Sequence, residues 1–228
     1  MNKRLFKIKY NPSYQKGMTL VELMVVLSIF VMVTGLTIFD YKSFQSNVSI
    51  QNLSSDISLS IRKAQSYAIG SHGNGAGSNF SLAYGVHFDT TKTPASPLYG
   101  SNKSFIMFID STLNTVPDIL YDLPPINSTT CNGVANECNE MLSIVTSDSI
   151  SNIYINGSNT PIAAGKSLDI SFKRPNPDAI FCLRNTGQNF CDLISISNAT
   201  IEVSNGLVAP NNRTRTISVW NTGQISIK

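Results

Sequence analysis

The stretch KGMTLVELMVVLSIFVMVTGLTIF, residues 16–39, decides how the rest of the chain is read. From Met18 to Phe39 it holds a single charged residue, Glu22. As a helix this run measures about 33 Å, enough for the hydrocarbon core of a bilayer. A carboxylate inside such a helix costs roughly 2.5–3.5 kcal/mol on insertion scales, so Glu22 calls for a partner.

Working outward, Lys3, Arg4, Lys7, Lys9 and Lys16 precede the run with no acid among them. That bias favours a cytoplasmic N-terminus and places the remainder of the chain outside the cytoplasm. A cleavable secretory signal has small residues after its apolar run. Here DYKSFQS (40–46) follows instead, and the processing mark, Gly17, comes before the run. Cutting after Gly17 discards the basic leader and keeps the hydrophobic helix.

The basic leader, Gly17 and then MTLVE, with Glu22 fifth after the cut, resemble the prepilin family. Its members build type IV pili, type II secretion pseudopili and DNA-uptake filaments. The resemblance implies a prepilin peptidase that cuts after Gly17 and methylates the new amino terminus at Met18, where most members carry Phe. It implies assembly with other pilin or pseudopilin subunits, after a stage in cytoplasmic membrane lipid as a single-pass protein. Its head is then periplasmic or extracellular, in a filament. The new Met18 amine sits near the positive end of the helix dipole. In a stack of subunits, Glu22 of one chain meets the Met18 amine of a neighbour. The expected role is structural, with no catalysis and no required cofactor; the alternative is a minor pilin acting as a DNA-binding or adhesive module.

The helix is expected to continue to Ile69. Val48, Leu53, Ile57, Ile61, Ala64 and Ala68 give an amphipathic face, and no proline occurs between Pro12 and Pro94. Gly70, Gly73, Gly75 and Gly77 end it. Three segments result: a cleaved leader, 1–17; a long helix, 18–69, transmembrane over 18–39; and a β-rich extracytoplasmic head, 70–228.

From residue 79 the apolar period becomes two. The expected strands are FSLAYGVHF (80–88), SFIMFID (104–110), LSIVTS (142–147), SNIYIN (151–156), SLDISF (167–172), AIFCL (179–183), DLISIS (192–197), ATIEVS (199–204) and RTISVWNTGQISI (215–227), the last holding an NTG hairpin turn. The fold class is α+β, a long N-terminal helix packed on a mostly antiparallel sheet. IRKAQSYAIGS (61–71) and the closing strands resemble the H-type pseudopilins and FimT-type minor pilins.

Of 228 residues, 42% are hydrophobic and 14% charged. Without the leader, 12 of the 17 basic residues face all 14 acids, so the body of the chain is no generic polyanion binder. Cys131, Cys138, Cys182 and Cys191 form two close pairs without CxxC spacing, and the two histidines are His72 and His87. Zinc fits this poorly; disulfides in an oxidising compartment fit it well. Pairing 131–138 and 182–191 is the simplest of three connectivities. Asp110, Thr112, Asn114 and Asp118 alternate as in a calcium loop but lack its central Gly and terminal Glu. The competing reading is a polar strand-to-turn connection. Arg213 and Arg215, like Lys173 and Arg174, are small basic clusters that suit either phosphate contacts with DNA or a solvated surface. The histidines lack the further ligands a metal or catalytic role needs; His87 is expected on a strand and His72 on the surface.

Overall fold

The computed structural model describes residues 17–70, 82–110, 119–125, 128–131, 136–185, 188, 190–192, 194–208 and 212–228, without the side chains of 37–43. The leader residues 1–16, His72, Gly73, Gly75, Gly77, Thr112, Asn114 and Asp118 lie outside this set. The chain divides into two compact units, Met1–Ser43 and Phe44–Lys228. One helix, α1 (Leu20–Ile69), contributes to both.

Helix α1 begins two residues later than the apolar run because Thr19 caps it. Its hydroxyl accepts from the Glu22 N–H at 3.2 Å, and its carbonyl accepts from the Leu23 N–H. The side chains from Leu20 to Val33 are exposed on every face of the helix. Within it, the hydroxyls of Ser28 and Thr34 donate back to the carbonyls of Val25 and Phe30, so they are satisfied without water. The described side chains of this apolar half end at Leu36, about 26 Å of helix from Leu20. Among the described residues no helix is long and apolar enough to cross a membrane.

In the second unit, α1 carries a buried stripe of Ile50, Leu53, Ile57, Ile61, Ala64 and Ala68. The expected face is displaced by half a turn at its start: Ile50 is buried and Val48 is exposed. The strands are β1 (Ala83–Asp89), β2 (Ser104–Asp110), β3 (Cys138–Ser143), β4 (Ser149–Ile155), β5 (Lys166–Phe172), β6 (Ala179–Asn185), β7 (Asn198–Ser204), β8 (Thr214–Trp220) and β9 (Ile225–Ile227). They form two antiparallel sheets, β3-β2-β1-β5-β6 and β4-β7-β8-β9. The helix stripe, Phe88, Phe105 and Ile170 from the first sheet, and Ile153, Ile201 and Ile217 from the second share one core.

Two expected strands differ. Residues 144–147 leave the sheet, because the Lys103 ammonium gathers the carbonyls of Thr146, Ser147 and Asp148 into a loop. The strand there begins earlier, at Cys138. Residues 192–197 form no strand among their described positions. The Asp192 N–H reaches the Leu183 carbonyl, Ile194 turns back to Asp192, and the Asp192 carboxylate pairs with Lys166.

Both faces of the first sheet are covered at its centre, so β1 and β2 are buried along their length. On the face away from α1, Ile106 and Phe108 pack with Leu98, Tyr121 and Cys138. Phe108 lies over Gly85, where a Cβ would stand 2.4 Å from its ring. Beside this apolar patch sits a buried ionic cluster. Asp169 Oδ1 is 2.5 Å from His87 Nδ1, and its Oδ2 is 3.1 Å from Arg184 Nη2. His87 Nε2 donates to the Tyr99 carbonyl, and Arg184 donates to the carbonyls of Tyr121 and Gln188. Tyr121 completes the network by donating its hydroxyl to the Leu98 carbonyl at 2.8 Å. Burial, with Glu137 and Asp169 near, pushes the Tyr121 phenol well above its usual range, which keeps it a donor. Three side chains from three strands thus hold two covering loops down.

Burial works to raise the Asp169 pKa, but the Arg184 charge, His87 and the Tyr121 N–H outweigh it and hold the carboxyl below the usual range. A depressed carboxylate contributes stability that is complete above its unfolded pKa of about 3.9 and is lost as pH falls through the folded value. Removing Arg184 leaves a buried, uncompensated charge. Arg184→Met is expected to lower unfolding free energy by about 3–5 kcal/mol in urea titrations. Acid unfolding of that variant, followed by circular dichroism, is expected to begin at a higher pH than in the native chain.

Candidate functional site

The residues that the sequence marks for processing meet at the start of α1. Gly17, Met18 and Thr19 are outside the helix and exposed, and nothing lies within 4 Å of a Cβ built on Gly17. The Gly17–Met18 bond is therefore in open, non-helical backbone two residues ahead of the first helical one. A peptidase needs such backbone, since a helix hides its amides in its own hydrogen bonds. Thr19 sets this boundary. Its role was legible as a Thr-x-x-Glu capping pattern, Thr19 to Glu22, that the reading of the charges passed over.

Glu22 occupies the first turn of α1 and is exposed. Its backbone N–H is held by Thr19, and among the described residues no hydrogen bond or ion pair reaches its carboxylate. Around it, Leu20, Val21, Leu23, Met24 and Val25 are all exposed. The site thus presents one carboxylate on an apolar surface, at the helix end whose dipole favours an anion. Cutting after Gly17 adds a positive amine one turn earlier in the chain.

The remaining sequence candidates are on the head. Cys131–Cys138 and Cys182–Cys191 are disulfides, with Cα separations of 4.9 and 5.2 Å. The first joins the loop over the outer face to the start of β3; the second ties the segment after β6 back to that strand. Asp110 ends β2, is buried, and accepts from the Ile119 N–H at 2.9 Å, a loop-closing role. The rest of its proposed calcium set lies outside the described residues, among which no group of acids, His and Cys could hold a metal. His87 is a strand residue buried in the ionic cluster, with both ring nitrogens engaged.

The two basic clusters are not brought together. Arg213 and Arg215 sit at the start of β8, Arg215 in register with Val203. The turn carrying Lys173 and Arg174 returns through Ala179, whose N–H bonds to Asn221, just past the other end of β8. A seven-residue strand separates them, about 20 Å.

No curated protein and no solved structure matches the chain. Residues 12–38 match the family model of the prokaryotic N-terminal methylation motif. That span takes in the exposed Gly17–Met18 bond, the Thr19 cap and Glu22, and through it the chain carries the signature of type IV prepilins and pseudopilins.

Proposed function

We propose that this chain is a structural subunit of a type IV pilus or a type II secretion pseudopilus. It enters the cytoplasmic membrane through residues 18–39, is cut after Gly17 and methylated at Met18, and polymerises through the first half of α1. The carrying observation is the junction at Thr19. An open peptide bond stands before it, and after it a helix exposes apolar side chains on all faces, with one carboxylate in its first turn that no hydrogen bond or ion pair reaches among the described residues. A helix apolar all round is stable in water only when something covers it, and lipid or neighbouring copies of the same helix supply that cover in turn. Glu22 and the Met18 amine of the next subunit neutralise each other in the filament core and fix the axial register.

The alternative, a minor pilin that captures DNA, draws on Arg213 and Arg215. Their separation from Lys173 and Arg174 favours the structural reading, because a phosphate backbone then meets two charges at a time rather than a continuous groove.

Intact mass spectrometry of the chain extracted from membranes tests processing. The expected species begins with methylated Met18 and is lighter by two hydrogens for each disulfide; a chain still beginning at Met1 contradicts the proposal. Glu22→Ala is expected to leave membrane insertion unchanged and to abolish recovery of the subunit in sheared filaments. DNA binding by the purified chain in detergent is expected to be weak, with a log–log salt slope no steeper than about −2, the limit for two phosphate contacts. A much steeper slope would favour the uptake reading.

A further inference from the structure

Two strand edges of the head carry no hydrogen bond on their outer side among the described residues, and they match. Of the four edges of the two sheets, β4 is covered by the Asn102 carbonyl on the Ile150 N–H and by the Ile162 N–H on the Ile153 carbonyl. The edge of β6 is covered by the Asp192 N–H on the Leu183 carbonyl and by the Asn221 carbonyl on the Ala179 N–H. The open edges are β3 and β9.

Antiparallel ladders alternate between bonded and unbonded pairs, which decides the groups that face outward. On β3 the Ile144 N–H bonds inward to the Lys103 carbonyl, so the backbone groups of Leu142 and Glu140 also face inward and those of Met141 and Ser143 face out. On β9, Lys228 exchanges both bonds with Thr216, and the Gln224 carbonyl accepts from the Trp220 N–H, so those of Ile225 and Ile227 face out. Each edge offers two alternate residues, and such an unpaired row is a template for another strand.

One antiparallel register suits the side chains as well: Met141 opposite Ile227 and Ser143 opposite Ile225. Met141, 37% exposed, and Ile227, 40% exposed, then share a face as an apolar cross-strand pair. On the other face Ser226 lies against Leu142, and Lys228, exposed, stands opposite Glu140, half-exposed beside Lys63. A groove on that face, lined by Leu53, Leu142 and Ile144, also carries Asp56, exposed and in no ion pair among the described residues. The charges of the two edges are therefore complementary.

The edges lie on opposite flanks of the head. Beside β3, β2 is preceded by Asn102, which meets β4; β6, four strands across the sheet and about 19 Å from β3, meets Asn221 in the β8–β9 turn. Joining β3 to β9 thus takes two molecules and repeats head to tail, the kind of contact that builds an open helical array.

We infer that β3 of one subunit pairs with β9 of a second copy in the filament, Met141 against Ile227 and Glu140 against Lys228. The inference rests on the filament reading and names the contact that its heads make.

Opposed residues in such a pair have Cα atoms about 5.5 Å apart, within disulfide reach. The four native cysteines are already paired. The full chain is expressed as Met141→Cys, Ile227→Cys and the double variant, and sheared filaments are oxidised and run on non-reducing gels. The expected result is a ladder of dimers, trimers and longer species from the double variant and monomers from each single one. Mixed filaments of the two single variants are expected to stop at dimers. Double-variant filaments without a ladder overturn this inference alone. Dimers from a single variant assign the edge to a like-with-like contact and also overturn it. A native chain absent from sheared filaments overturns the filament reading and this inference together. Because a cysteine at an interface can block assembly, the charge pair supplies a second test. Glu140→Lys and Lys228→Glu are each expected to reduce filament recovery, and the two together to restore it. A double charge variant no better than either single one overturns the inference.

Discussion

The stripe Ile50, Leu53, Ile57, Ile61, Ala64 and Ala68 is the surface on which both sheets of the head close. Neither sheet covers its own inner face. The first supplies Phe88, Phe105 and Ile170, the second Ile153, Ile201 and Ile217, and the helix supplies the shared core. The residues get smaller toward Ile69, ending in Ala64 and Ala68, which allows close approach of strand and helix backbones. Polar contacts then fix the fit at both ends. Ser46 and Ser49 hold loops at one end, and Gln65 bonds the Pro177 and Gly223 carbonyls at the other. The helix whose first half carries the methylation motif is therefore indispensable to the head.

The outer face of the first sheet follows a different logic. It is covered by loops, which bring few apolar side chains, and a charged cluster does what apolar area does elsewhere. Asp169 takes His87, Arg184 and the Tyr121 N–H at once. Such clusters stabilise less than apolar packing of equal volume, but they tolerate only one arrangement, since each unpaired member is costly. The disulfide Cys131–Cys138 closes the same covering segment from its other side. Disulfides persist where thiols oxidise, and there both devices are open to a small domain.

The functional reading depends on contrast along a single helix. Its first half is apolar on all faces and its second on one. Thr19 gives the first half a sharp start, leaving the Gly17–Met18 bond outside the helix, and Glu22 is the one carboxylate in the segment. The prokaryotic N-terminal methylation motif falls within this short region, while the head presents separated basic pairs.

Sequence alone determined what neighbouring residues can express. The apolar run, Glu22 and Gly17 announced the methylation-motif segment, and the period of the helix and of most strands announced an α+β fold. The short spacing of each cysteine pair made 131–138 and 182–191 the simplest of three connectivities, and the structure forms those two bridges. Each is a property of contiguous chain. The tertiary structure alone decided the rest. It split the strands into two sheets, moved Val48 out of the helix stripe and Ile50 into it, and turned 144–147 into a loop held by Lys103. It also buried His87 with Asp169, 82 residues away, and joined Asn205 to Ser46 across 159 residues. A polar side chain finds its partner through the fold, and burial decides whether that partner is water or another residue; neither is a property of the residues beside it in the chain.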